Sequence, residues 1–264
     1  MARNTYGLDL GSYEIKVYDK KQDTIWKEKN VLAVQDKKEI IAIGEDAYQM
    51  YEKTPPDIEV AFPMRDGVIS RFNDMQNLLQ NILKKNRHFS RGAEYVIAVP
   101  TDVTEVQKKA FFDLVIHSNA KAREVNIVER SIADAVGLGI DVQNTTGVMI
   151  INFGGETTEL SVLTEGGIVF NRLLKLGGTT LDQEIVNLVR NSHDFLIGSR
   201  TAEILRQQFD VFNGDSETAF SVAGRDLITG LPMRKTISIT LVRAAFKDTL
   251  LECMKAVRSM LDRT

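Results

Sequence analysis

Residues 147–163 read Gly-Val-Met-Ile-Ile-Asn-Phe-Gly-Gly-Glu-Thr-Thr-Glu-Leu-Ser-Val-Leu. An apolar strand runs into a glycine turn, and a second strand follows at once. Residues 6–18 repeat this plan, with Gly11 at the turn. A unit that recurs about 140 residues later predicts two similar lobes, each with a mixed sheet and flanking helices. We therefore expect an α/β fold with a first lobe at 1–140 and a second at 141–264.

Between the two hairpins, apolar residues recur every three or four positions from Phe72 to Lys85, which predicts a helix with one buried face. Small subdomains are expected within the lobes, at about 31–92 and 182–250. A second lobe that copied the first would need strands and helices beyond Thr264. We therefore expect the second lobe to be incomplete and the chain to be truncated or a fragment.

Composition excludes several classes of protein. The 264 residues are 43% hydrophobic and carry a formal net charge of -3, so bulk electrostatics do not favour nucleic acid as a partner. Cys253 is the only cysteine, and the three histidines lie far apart in sequence, so neither a disulfide nor a zinc cluster is expected. No apolar run approaches the roughly 20 residues of a membrane span. We expect a cytoplasmic protein.

The two glycine turns carry the candidate chemistry. In Asp9-Leu-Gly-Ser12, a glycine lets backbone N–H groups approach phosphate oxygens, Ser12 adds a hydroxyl donor, and Asp9 can hold magnesium through water. Taken alone, the motif is equally compatible with a tight turn and a solvated aspartate. The stretch 152–158 repeats it, and two such turns facing each other can clamp one triphosphate.

The two turns resemble the phosphate motifs of the actin, sugar-kinase and heat-shock-chaperone superfamily. Within that superfamily, several longer strings look specifically like the MreB family of bacterial actins. They are Thr54-Pro-Pro-Asp-Ile, Pro63-Met-Arg-Asp-Gly-Val-Ile, Val99-Pro-Thr-Asp-Val-Thr-Glu-Val, Ile197-Gly-Ser-Arg-Thr-Ala-Glu and Gly224-Arg-Asp-Leu-Ile-Thr-Gly-Leu-Pro. This resemblance spans essentially the whole chain.

The resemblance implies an actin-like fold of two ribonuclease-H-like lobes, with ATP and Mg²⁺ in the cleft between them. It also implies homopolymer filaments at the inner face of the cell membrane that guide the cell-wall elongation machinery. Residue by residue, it assigns the phosphate, ribose and base contacts to Asp9, Gly11, Ser12, Asn152, Gly154, Gly155, Thr157, Thr158, Gly177, Gly178, Asp182, Glu203 and Arg206. From the sequence alone, Glu203 and Arg206 also fit an exposed pair at i, i+3 on a helix.

Four positions depart from the family pattern. Asn152 stands where the family has an aspartate, and Glu156 stands where it has a third glycine. Both changes are expected to weaken the binding of Mg²⁺ and phosphate. The segment that usually reads Glu-Glu-Pro is Glu129-Arg130-Ser131. Because arginine keeps its proton near neutral pH, Arg130 cannot act as a general base, which leaves Glu129 as the catalytic candidate.

A basic stretch at 84–91 contains one aromatic residue, Phe89, beside Arg87 and Arg91. Family members insert a short apolar loop near this position, which implies a membrane contact. A solvated basic turn is the alternative. With four cations and one aromatic ring, any association with anionic lipid is expected to be weak and sensitive to salt.

The leading hypothesis is a filament-forming cytoskeletal subunit, which is at most a weak ATPase. A hydrolysis-deficient paralogue that co-assembles with or caps an active actin is the alternative, because of Asn152, Glu156 and Arg130. A small-molecule kinase of the same superfamily would need a catalytic aspartate beside a sugar pocket, and the family-specific strings argue against it.

Overall fold

The computed structural model describes residues 4–85, 92–208 and 217–262. The chain forms two compact units, Met1–Lys175 and Leu176–Thr264. Both glycine hairpins therefore belong to the first unit. The lobe limits inferred from the repeat, near 140, remain a prediction. No helix within the described ranges is both long and apolar enough to cross a membrane.

The first unit is a mixed α/β structure, as the sequence predicted. Its elements are β1 (Thr5–Leu10), β2 (Glu14–Asp19), β3 (Thr24–Lys29), β4 (Leu32–Gln35), β5 (Glu39–Ile43), α1 (Glu45–Met50), β6 (Ile58–Ala61), β7 (Met64–Arg65), β8 (Val68–Ile69), α2 (Phe72–Lys85), β9 (Glu94–Val99), α3 (Glu105–Ile116), β10 (Glu124–Glu129), α4 (Arg130–Gly137), β11 (Val148–Phe153), β12 (Thr158–Thr164) and β13 (Gly167–Leu174).

A five-stranded sheet in the order β10-β9-β1-β2-β3 forms the centre of this unit. β1, β2 and β3 are an antiparallel meander, whereas β9 and β10 run parallel to β1. Burial alternates along β1 and β9, as the two-residue period of a strand requires. Helix α2 packs its Met75, Leu78 and Ile82 side chains into the core, which confirms the predicted helical face.

The stretch that opens with Gly147 forms a separate three-stranded antiparallel sheet in the order β11-β12-β13. It reproduces the β1-β2-β3 meander, so the predicted repeat is confirmed. In the first sheet, β9 pairs with the remaining edge of β1. Within the described ranges no strand pairs with that edge of β11, and Ile151 and Phe153 are exposed there.

The second unit has a core of helices and one sheet. Its elements are α5 (Gly178–His193), β14 (Phe195–Leu196), α6 (Ser199–Gln208), β15 (Ala219–Asp226), β16 (Pro232–Ser238) and α7 (Ile239–Leu261). The strands pair antiparallel in the order β14-β15-β16. Val189, Phe195, Leu205 and Ile237 are among the buried side chains that join helices to sheet.

The string that begins at Gly224 owes its turn to Asp226. Its Oδ1 accepts hydrogen bonds from the backbone N–H of Thr229 at 2.8 Å and of Ile228 at 3.2 Å. Lys235 Nζ lies 3.0 Å from its other oxygen. The backbone donor of Thr229 and the ammonium of Lys235 lower the pKa of Asp226 to about 2, so this carboxylate stays charged and holds the β15–β16 turn at neutral pH.

Candidate functional site

Two glycines close the two hairpin turns in the same way. Gly11 N donates to Glu14 O at 3.1 Å, and Gly154 N donates to Thr157 O at 2.8 Å. A Cβ on Gly11 would lie 2.8 Å from Glu14 O, and a Cβ on Gly154 would lie 2.9 Å from Thr157 O. Any side chain would therefore collide with the carbonyl three residues on. The two turns need glycine for the same physical reason, the close approach of backbone to backbone.

The two turns also lie against each other. A Cβ on Gly155 would lie 2.7 Å from Tyr13 Cβ and 3.5 Å from Tyr13 N. Tyr13 follows Ser12 in the first turn, whereas Gly155 belongs to the turn between β11 and β12. The sheets that carry these turns are different, so the contact is tertiary and not part of one ladder. The two glycine turns are therefore close neighbours in space, although they belong to different sheets.

A third turn, between β7 and β8, is hydrogen-bonded to both. Asp66 N donates to Glu156 Oε2 at 2.7 Å, and Gly67 N donates to Ser12 Oγ at 3.3 Å. Asp66 and Gly67 both adopt positive φ, at 52° and 80°. The carboxylate of Glu156 is thus used to fix a neighbouring turn. The string that begins at Pro63, which sequence analysis used only as a family signature, has this positioning role.

Five side chains form a charge cluster beside the first turn. Lys16 lies directly opposite Asp9 in the β1–β2 register, and its Nζ is 3.0 Å from Asp9 Oδ2. Arg130, the first residue of α4, places Nη2 3.7 Å from Asp9 Oδ1. Asn152 Nδ2 donates to Asp134 Oδ2 at 2.6 Å. The cluster therefore pairs two carboxylates, Asp9 and Asp134, with two cations and one amide.

Asp134 is a member of the cluster that sequence analysis missed. It lies four residues after Arg130 on α4, so one helix face presents both side chains. Burial raises the pKa of Asp134, and the hydrogen bond from Asn152 and the charge of Arg130 partly oppose this. The available signal was the i, i+4 spacing from Arg130, but nothing in the sequence places α4 beside Asn152.

Residues after the second turn are buried and hold the end of β9. Thr157, Thr158 and Glu159 are all buried. Glu159 Oε1 accepts a hydrogen bond from Thr101 N at 2.9 Å, and the hydroxyls of Thr101 and Ser131 lie 3.0 Å apart. The start of β12 is thereby attached to the loop after β9 and to α4. Glu129, the catalytic candidate, is the N-cap residue of α4, directly before Arg130.

The remaining predicted site residues lie in the second unit. Gly177 and Gly178 begin α5, where Gly177 N donates to Thr180 Oγ1 at 3.2 Å. Arg206 on α6 makes two parallel bonds to Asp182 on α5, Nε to Oδ1 at 2.7 Å and Nη2 to Oδ2 at 3.2 Å. Burial raises the pKa of Asp182, whereas Arg206 lowers it.

Glu203 is only 5% exposed and accepts a hydrogen bond from Gln207 Nε2 at 2.8 Å. From the sequence alone, it also fitted one member of an exposed pair. The exposed-pair interpretation of Glu203 and Arg206 is therefore wrong, because one member is buried and the other pairs with Asp182. The predicted membrane contacts Arg87, Phe89 and Arg91 lie outside the described residues.

A family model described as MreB/Mbl protein matches residues 3–264. The chain belongs to the MreB/Mbl family. Curated relatives of this MreB/Mbl chain include the cell shape-determining protein MreB of Escherichia coli strain K12, 32% identical over 272 residues that cover 100% of this chain and 78% of the relative. The Mbl protein of Bacillus subtilis strain 168 is 30% identical over 263 residues, 98% of this chain and 78% of the relative.

Solved structures show the same fold. MreB5 of Spiroplasma citri bound to AMPPNP superposes with a TM-score of 0.92 at 29% identity, over 100% of this chain and 80% of that one. A MamK double helical filament superposes with a TM-score of 0.79 at 20% identity, over 99% of this chain and 81% of that one. The actin-like fold class expected from the sequence is thus confirmed.

The donor set of this MreB/Mbl chain fits phosphate better than it fits a divalent cation. Two glycine turns and the Ser12 hydroxyl are suited to anionic oxygens. Both oxygens of Asp9 already face cations, at 3.0 Å from Lys16 and 3.7 Å from Arg130, and position 152 offers an amide engaged with Asp134. Within the described ranges, no group of three His, Cys, Asp or Glu side chains could hold a metal ion. The cluster as arranged does not fit Mg²⁺.

Proposed function

We propose that this chain is a cell-shape-determining actin that binds ATP between its lobes and polymerises into filaments. The observation that carries the proposal is the contact of Gly155 with Tyr13, which brings two equivalent glycine turns face to face. Such a pair can close on the phosphates of one nucleotide from two sides. Family membership supports the same activity, because curated members are named as determinants of cell shape.

Nucleotide binding is supported further by the Spiroplasma citri relative, whose structures contain AMPPNP and ADP. In this chain the phosphates would contact the turns at Gly11 and Gly154, with Thr157 and Thr158 beside them. The buried Glu203 and the Asp182–Arg206 pair would contact ribose and base. Mg²⁺ would contribute less than in other members, since Asn152 replaces a carboxylate.

The filaments would consist of copies of this chain, lie at the inner face of the cell membrane and guide the cell-wall elongation machinery. The chain itself would be cytoplasmic. A MamK filament has the same fold, which is consistent with self-assembly. At 20% identity, this similarity supports the fold alone. Arg87, Phe89 and Arg91 would supply the membrane contact.

A second candidate is favoured by Arg130. It replaces the carboxylate that would position the attacking water, and its guanidinium is turned towards Asp9. A hydrolysis-deficient paralogue that co-assembles with or caps an active actin would show this substitution. The two candidates differ in turnover and in whether polymer formation requires nucleotide.

Light scattering, pelleting and phosphate release with ATP, with ADP and without nucleotide test the proposal. We expect ATP-dependent polymer. Because a general base contributes about 10²–10⁴-fold, phosphate release should be slower by about that factor than in a relative that keeps the Glu-Glu-Pro segment. That relative, assayed in parallel, is the control.

Polymer that forms equally well without nucleotide would favour the hydrolysis-deficient paralogue. Phosphate release as fast as the relative's would show that Arg130 is tolerated and would contradict the assignment of a weak ATPase. Absence of polymer under all three conditions would reject the filament proposal.

Replacing Phe89 by serine is expected to reduce co-sedimentation with anionic vesicles, because the apolar ring no longer enters the interface. Binding of the unchanged protein should fall as salt rises, since the neighbouring cations act through screened charge. Val106→Ser is the control, because Val106 is 79% exposed on α3. Equal pelleting of all three proteins would rule out Phe89 as a membrane contact.

A further inference from the structure

The charge cluster around Asp9 is balanced without a metal ion. Asp9 and Asp134 carry two negative charges, Lys16 and Arg130 carry two positive charges, and Asn152 is neutral. In phosphate-transfer sites, a bound divalent cation is often the largest local charge and neutralises phosphate oxygens. Here two side chains already supply a charge of the same size beside the first glycine turn.

Arg130 is held in place by the fold. Its side chain is only 11% exposed, and it is the first residue of α4, directly after β10. Arginine is effectively always charged in proteins, so a buried guanidinium supplies a permanent positive charge. The fold therefore places a positive charge beside Asp9.

One nitrogen of Arg130 has no hydrogen-bond acceptor among the described residues. Nη2 is buried and makes no hydrogen bond to any described residue, since Asp9 Oδ1 at 3.7 Å is too far for one. An unsatisfied buried donor is unfavourable, particularly on a charged group. A phosphate oxygen has the geometry and charge that a guanidinium pairs with best.

Lys16 offers the second charge from the opposite side of Asp9. It stands across the β1–β2 ladder from Asp9, and its side chain is 43% exposed. An ammonium on a flexible stem can shift its contact from a carboxylate to a phosphate oxygen. The two cations thus approach Asp9 from the neighbouring strand and from the start of α4, next to the turn that includes Ser12.

We propose that Arg130 and Lys16 take the place of the divalent cation in this chain, so that it binds a nucleoside diphosphate or triphosphate without Mg²⁺. The inference rests on the proposed nucleotide site. It predicts that nucleotide affinity is nearly independent of Mg²⁺. A site in which a metal ion neutralises the phosphates would instead bind nucleotide more weakly without Mg²⁺. It also relates the substitutions at positions 130 and 152 to each other. Arg130 adds a cation, and Asn152 lacks the charge that would bind a metal ion.

Calorimetric titration of ADP and ATP into the protein, in EDTA and in excess Mg²⁺, tests this. The unchanged protein should bind with dissociation constants that differ by less than about threefold between the two conditions. Arg130→Gln and Lys16→Met should each bind at least about tenfold more weakly in EDTA, and Mg²⁺ should restore most of that loss. Lys20 is exposed and directly follows β2, at the end opposite the glycine turn. Lys20→Met should therefore bind nucleotide with the same dissociation constants as the unchanged protein.

Thermal melts of each variant identify loss of folding, and Lys16→Met carries the test if Arg130→Gln unfolds, because Lys16 is partly exposed. Binding by the unchanged protein only when Mg²⁺ is present would overturn the inference and leave the nucleotide site standing. Variants weakened equally with and without Mg²⁺ would also overturn it. No binding under either condition would reject the nucleotide site and the inference together.

Discussion

A Gly155→Val chain is expected to lose about tenfold or more in affinity for ADP and about 1–3 kcal/mol of unfolding free energy. The reason is steric. The first added carbon would lie 2.7 Å from Tyr13 Cβ, which belongs to the rigid start of a side chain and cannot swing away. The two turns would have to separate, which would change the spacing between the proposed phosphate contacts. Calorimetric titration and urea denaturation measure the two losses.

Gly167→Val is the matched control for this experiment. Gly167 begins β13 in the same small sheet, and a Cβ there would meet no atom of the described residues within 4 Å. Valine also favours strands, so stability should be unchanged or slightly increased. If Gly155→Val bound ADP and unfolded like the unchanged protein, the two hairpin turns would not abut, and the clamp would have no structural basis.

Arg206→Ala should lower the unfolding free energy by about 3 kcal/mol at neutral pH, since it leaves a buried carboxylate without its bidentate partner. Asp182 is buried, and Arg206 holds it through two bonds of 2.7 and 3.2 Å. Burial raises the pKa of Asp182, and Arg206 is the group that lowers it. Without the guanidinium, the pKa of Asp182 should rise further.

The loss should depend on pH. A carboxyl whose folded pKa is raised contributes stability below its unfolded pKa, and this contribution is lost as pH rises through the folded pKa. The deficit of Arg206→Ala should therefore be smallest near pH 4 and grow towards pH 7, which urea denaturation across that range would show.

Two arginine variants separate charge from geometry. Arg206→Lys keeps one charge but loses the planar fork, so an intermediate loss is expected. Arg258→Ala removes an exposed arginine from α7 of the same unit and should change stability by at most about 0.5 kcal/mol. The loss of unfolding free energy in Arg206→Ala could instead stay constant across pH. That result would mean that the charge of Asp182 is not what destabilises the variant.

The sequence determined the local architecture by itself. Alternating apolar residues and a glycine turn were enough to predict the hairpins at 6–18 and 147–163, because strand periodicity and turn geometry depend on neighbouring residues alone. The buried face of α2 followed from its spacing for the same reason. The sequence also predicted turns at Gly11 and Gly154, and the structure adds that a Cβ there would collide with a carbonyl three residues on.

What the charges do was decided only by the tertiary structure. Glu156 was expected to weaken phosphate binding, and the structure adds that its carboxylate accepts a hydrogen bond from Asp66 N, 90 residues away. Asp134 joined the cluster through Asn152, 18 residues on, and Arg206 reached back to Asp182 on another helix. A charged side chain acts on whatever lies within a few ångströms, and periodicity does not show which distant segments come that close. The sequence therefore predicts residue types for a candidate site, whereas the interactions among their charges arise from tertiary packing.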